Sequence, residues 1–137
     1  MPFDAQNPVI KLCALAMEKE GSAEAAPLVL RAWTEATNDW ERCIAAHYVA
    51  RHQSNVMEKL IWDERALLLA QNLDEVAAAY LLPSLYLNVG RCYEDLNDRQ
   101  KAQNNYRMAH TYAGNLNNDS YGNKVRKAID RGLERVQ

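Results

Sequence analysis

Cys43 and His47 stand four residues apart, followed by Arg51 and His52. A thiol and an imidazole one helical turn apart share a helix face. In that arrangement a His can activate a Cys nucleophile, or both side chains can ligate a metal. The set stops short of either chemistry. A metal needs at least one more convergent ligand, and His52 turns to another side of the helix. Nucleophilic catalysis needs an acidic group to orient the imidazole, together with donors for the developing oxyanion, and no Gly-rich loop supplies them. Neither G-x-x-x-x-G-K nor G-x-G-x-x-G occurs. The group reads as a small buried thiol beside a hydrogen-bonded His. The expectation is a protein that is not an enzyme, with no metal and no cofactor.

A second charged group lies near the C-terminus. Lys124, Arg126, Lys127, Arg131 and Arg135 face only Asp130 and Glu134. Such a surplus suits an acidic partner or a nucleic acid. Val125, Ile129, Leu133 and Val136 give the same segment a buried stripe, so the charges read as its solvated side. The net charge of -2 and pI of about 5.9 argue against general nucleic-acid binding. Trp33, Trp40, Trp62 and Tyr80 are large enough to serve either as core or as recognition anchors, and sequence does not sort them.

These residues must be held by helices. Of 137 residues, 20 are Ala and 16 Leu, against 8 Val, 4 Ile and 3 Thr, which excludes an all-β domain. At 48% apolar and 25% charged, the chain is neither disordered nor membranous. No stretch reaches the ~18 consecutive apolar residues that span a bilayer. Met1-Pro2-Phe3-Asp4 shows no basic run before an apolar core, so no signal peptide is expected. Three widely spaced Cys, at 13, 43 and 92, suggest free buried thiols in a reducing cytosol.

Apolar residues at three-four spacing predict helices over about 6–20, 22–36, 40–52, 54–71, 74–96, 98–113 and 120–136. Ser22, Ser54 and Asp98 are the expected caps. Pro27 predicts a kink or a late start in the second helix, and Pro83 a kink or a later start in the fifth. Between Cys43 and Ala50 the third helix is apolar on most sides, which places it between neighbours. Pairing gives three hairpins, about 6–36, 39–71 and 74–113, and a polar last helix.

Residues 83–116 carry an internal-repeat skeleton. Tyr86, Val89, Gly90 and Tyr93 follow the spacing W-x2-L-G-x2-Y, and Ala102, Tyr106 and Ala109 supply its small, aromatic and small positions. This segment resembles the tetratricopeptide repeat (TPR) family, whose unit is about 34 residues. Gly90 and Ala102 are small where two helices of a hairpin cross, and Tyr93 and Tyr106 large where one hairpin packs on the next. Two weaker copies precede it. Gly21, Ala25 and Ala32 belong to the first. The second has Trp40-x2-Cys43-Ile44-x2-His47, then Leu60, Trp62, Ala66 and Leu67. Trp40 and Tyr86 are 46 residues apart, so connections there are extended.

The resemblance implies an all-α, right-handed α-α superhelix: a TPR-like solenoid of three hairpins with a C-terminal capping helix, in one domain. It implies a cytoplasmic interaction module whose concave face, lined by the first helix of each pair, binds a peptide or partner protein. On the clearest repeat the groove positions are Ser84, Leu87, Asn88, Arg91, Glu94 and Asp95. His47 and Arg51 are the candidates from the second hairpin. The Lys and Asn set of chaperone-binding members is not reproduced. Homodimerisation through an apolar end face is the alternative, as a structural domain without a peptide ligand.

Overall fold

A computed structural model describes residues 4–137, so the leader reading of Met1 to Phe3 lies outside the described residues. The described chain is helical throughout and contains no strand. Its helices are α1 (Pro8–Glu18), α2 (Ala25–Glu35), α3 (Asp39–Arg51), α4 (Val56–Gln71), α5 (Glu75–Asp95), α6 (Arg99–Tyr112) and α7 (Ser120–Arg135). A single 3-10 turn, Ala113–Asn115, follows α6.

Short polar side chains set most of the starts. Asn7, Asn38, Asn55, Asp74, Asp98 and Asp119 each accept a backbone N–H of the helix that follows, satisfying donors that the first turn leaves unpaired. Two expected caps are corrected. Asn55, not Ser54, caps α4, because its carbonyl oxygen reaches both Met57 and Glu58 N–H. Ser22 instead closes the preceding turn, donating to the Lys19 carbonyl and accepting from Glu24 N–H. The second helix therefore starts late, at Ala25, and Pro27 falls in its first turn, where a missing N–H costs no helical bond. Pro83 lies within a continuous α5. Just past its end Asn97, with a φ of 61°, lets Asn97 and Asp98 N–H reach back to the Glu94 and Tyr93 carbonyls.

The described chain gathers into two compact units, one ending at Leu73 and one spanning Asp74–Gln137. In the first, α1 pairs with α2 and α3 with α4, and α3 also packs on α1 and α2. Cys43, Ile44, Ala45, Ala46, Val49 and Ala50 of α3 are all buried, as expected for a helix held between neighbours. Ala16, Val29 and Val49 form the centre, with Leu28, Trp33, Tyr48 and Trp62 packed against it. The rings of Trp33 and Trp62 meet edge to face at 5.1 Å, and the Arg65 guanidinium lies 4.3 Å over Trp62. Glu41, almost buried, joins three segments: it accepts from Thr37 N–H and hydroxyl and from the Asn7 amide.

In the second unit α5, α6 and α7 pack on one another. Tyr106 of α6 is fully buried at their junction. A Cβ on Gly90 of α5 would stand 2.8 Å from its ring, and one on Gly132 of α7 would stand 2.7 Å from it. The atoms nearest to Gly90 thus belong to Tyr106, one turn along α6 from Ala102. The α5 and α7 axes run parallel and in fixed register. Tyr80 stacks on Tyr121 at 6.3 Å, and Glu94 pairs with Arg135; both pairs span the same separation, 41 residues.

Candidate partner-binding surface

The expected groove residues of α5 divide by what they touch. Tyr86 stacks on Tyr112 at 5.9 Å, and the Lys101 ammonium lies over the Tyr93 ring, so this side of α5 faces α6. Tyr80 and Glu94 mark the side facing α7. Ser84, Asn88, Arg91 and Asp95 recur at four-three-four spacing and form one stripe on a third side. Ser84 and Asn88 are half-buried, and Arg91 and Asp95 exposed. Their neighbours Leu85, Tyr86, Val89, Gly90 and Cys92 are buried. The stripe is therefore polar on a segment of α5 that, from Leu81 to Cys92, is otherwise packed.

Two expected members do not belong to it. Leu87 is buried, 4% exposed, and acts as a packing residue. Glu94 turns toward α6 and α7: it accepts the Tyr106 hydroxyl at 2.7 Å and a two-point contact from Arg135 at 2.7 and 3.1 Å. The Arg135 hydrogen bond, reinforced by Tyr106, holds the Glu94 carboxyl below its usual range against the opposing effect of burial. Burial and the Glu94 carboxylate push the Tyr106 phenol upward. This is an internal brace, and the repeat register gave it no place because Arg135 lies 41 residues away.

His47 and Arg51 belong to the first unit. Arg51 donates to both Glu20 oxygens, at 2.9 and 3.3 Å, tying the end of α3 to the turn after α1. His47 is half-buried beside Tyr48. Burial, with the Arg51 and Lys59 charges, pushes its imidazole down to about 4, so it is neutral at pH 7. The Cys43 thiol donates to the Ala66 carbonyl at 3.3 Å. Burial pushes Cys43, and likewise Cys13, up to about 12. A thiol with that shift is a poor nucleophile at neutral pH. His52 Nδ1 lies 3.0 Å from the Tyr48 carbonyl, so the two histidines serve different contacts.

The basic segment near the C-terminus also divides. Arg126 turns inward and donates to the carbonyls of Ala113, Leu116 and Asn117 and to the side chains of Asn118 and Asn123. It fixes the connection between α6 and α7. Arg135 is committed to Glu94. Lys124, Lys127 and Arg131 are exposed. Sequence reasoning missed Gly132, Glu41 and Asp63, the last a carboxylate only 1% exposed on α4. Small or acidic residues on helices give no local signal of such burial.

Among the described residues no helix is long and apolar enough to cross a membrane. Compared with protein-family models, curated proteins and solved structures, the chain shows no significant match.

Proposed function

We propose that the chain is a TPR-like interaction module that binds a peptide or a partner segment and carries out no catalysis. The observation that carries this reading is the Ser84–Asn88–Arg91–Asp95 stripe. An amide, a hydroxyl and two charges line one side of α5, while the other residues from Leu81 to Cys92 are packed. An extended peptide brings backbone donors and acceptors, and Asn offers both to meet them. Arg adds a planar fork suited to a carboxylate. The close approach of α6 to Gly90 and the burial of Ala102 and Ala109 support a tight hairpin crossing of the repeat kind, with Tyr106 the nearest side chain to Gly90. A superhelical stack with a concave face extends that reading.

Partners are obtained by capture on the immobilised full chain, and amide hydrogen exchange then maps the contact. Protection centred on 84–95 is the expected result. Protection confined to other segments would overturn the reading.

A second reading, self-association without a peptide ligand, rests on a different feature. Met57, Ile61 and Leu68 are spaced along one side of α4 and are 51%, 46% and 64% exposed, more apolar surface than a lone residue explains. Light scattering separates the two. A stable dimer dissociated by Ile61→Lys and Leu68→Lys would favour self-association.

A further inference from the structure

The register between α5 and α7 places two sets of exposed groups on one face. On α7, Gly132 meets Tyr106, Arg126 holds the loop after α6, and the Val136 carbonyl accepts from Gln103, so these residues mark the side toward α6. Tyr121 and Arg135 mark the side toward α5. Lys124 and Arg131 precede Arg135 by eleven and four residues. Helical periodicity therefore sets them along the α5-facing edge, on the side away from α6, with Lys127 beside them. On α5, Arg91 precedes Glu94 by three residues and also points away from Tyr86 and Tyr93, which face α6. Arg91 and Arg131 thus each stand about one turn before the Glu94–Arg135 pair, on parallel helices. The face opposite α6 joins the polar stripe of α5 to Arg91, Lys124, Lys127 and Arg131.

The charges on this face are unequal. Glu94 and Arg135 neutralise each other. Asp119, near Tyr80, is engaged as the cap of α7. Asp95, Asp130 and Glu134 are the remaining exposed acids: Asp95 and Glu134 stand at the C-terminal ends of their helices, and Asp130 lies about one turn after Lys127, on the side of α7 away from α5. The edge that carries Lys124, Arg131 and Arg91 is therefore cationic, Lys127 is offset by Asp130, and the far end is acidic. From Lys124 to Arg131 the rise is about 10 Å at ~1.5 Å per residue. An extended chain covers that in about three residues.

We propose that the partner segment bound on this face is acidic, with a short run of Asp or Glu lying along Lys124, Arg131 and Arg91. The proposal rests on the interaction-module reading and adds the chemistry of the ligand. A phosphodiester backbone carries uniform charge and would meet Asp95 and Glu134 at the far end. A peptide can end its acidic run there with a neutral or basic residue.

The test is selection of random dodecapeptides, displayed on phage, against the immobilised full chain, followed by fluorescence anisotropy with the selected sequences. Enrichment of Asp and Glu is expected. Binding should weaken about tenfold or more in the Lys124→Glu/Arg131→Glu variant and weaken with added salt. Charge reversal at Lys11, an exposed cation of the first unit, should change nothing, and circular dichroism confirms that each variant is helical. Selected peptides without acidic bias that still depend on Asn88 and Arg91 would overturn this inference and leave the module reading in place. Failure to select any peptide would overturn both. Tighter binding of single-stranded oligodeoxythymidine than of the acidic peptides, lost in the same variant, would assign the face to nucleic acid and overturn the proposal.

Discussion

Gly132 of α7 faces the ring of Tyr106 so closely that a Cβ there would lie 2.7 Å from the Tyr106 Cζ atom. Glycine inside a helix normally weakens it by roughly 1 kcal/mol relative to alanine, so replacing it by alanine should stabilise an ordinary helix. Here the ring is also closely approached by Gly90 and held at its hydroxyl by Glu94, and has little room to give. Gly132→Ala should therefore destabilise the protein by roughly 1–3 kcal/mol, the usual cost of overpacking. Gly90→Leu should do at least as much. Gly114, with nothing within 4 Å of an added Cβ, is the control. Urea unfolding of the three variants decides the matter: equal stability of Gly132→Ala and wild type would mean that Tyr106 is not gripped.

His47 makes stability depend on pH in a defined window. Its folded value is pushed down to about 4, while an unfolded imidazole titrates near ~6.5. Between those limits the unfolded chain binds more protons, so stability falls as pH falls. The steepest contribution of one such group is about 1.4 kcal/mol per pH unit. Chemical denaturation at intervals from pH 7 to 5 should show the decline, and His47→Gln should flatten it. Glu94, Glu41 and Glu20, all held low by their hydrogen bonds, lose stability in the same direction as pH falls toward the ordinary carboxylate range, so they add to the decline only at its acidic end. A slope unchanged by His47→Gln would place the titrating group elsewhere.

All three cysteines are free and buried. Cys13 and Cys43 are shifted up to about 12 by burial alone. Labelling with a disulfide reagent at pH 8 should be slow for the native protein and should release three equivalents on unfolding, as the count of free thiols requires. Rapid reaction at Cys43 in the folded chain would show that α3 and α4 open locally.

Much of this arrangement is legible in the residues themselves. Asp98 announces the start of α6, because a short carboxylate ahead of a periodic segment has few other local uses. The buried run of α3 follows from its apolar sides. Ser22 misleads because a hydroxyl serves a turn as readily as a helix start. Glu94 misleads for a longer-range reason: the repeat spacing places it in a groove, whereas Arg135 and Tyr106 engage it in contacts with α6 and α7. Leu87 is misplaced in the same way, since apolar burial on α5 extends past the positions that the skeleton specifies. Gly132 is invisible locally, because only the Tyr106 ring on another helix gives it a role. The periodicity of Ser84, Asn88, Arg91 and Asp95 is legible from one helix alone, whereas separating them from Leu87 and Glu94 needs the packing of α5.

That stripe carries the functional account, and its direct test is affinity. Asn88→Ala with Arg91→Ala removes the amide and the guanidinium but no residue of the repeat skeleton. The double variant should keep its circular dichroism spectrum and its melting temperature within a few degrees. Titration calorimetry with the captured partner should show affinity reduced by roughly tenfold or more, as loss of a charge-assisted contact and a backbone-pairing amide requires. An unchanged dissociation constant in a variant of unchanged helicity would contradict the account and remove α5 from the binding surface.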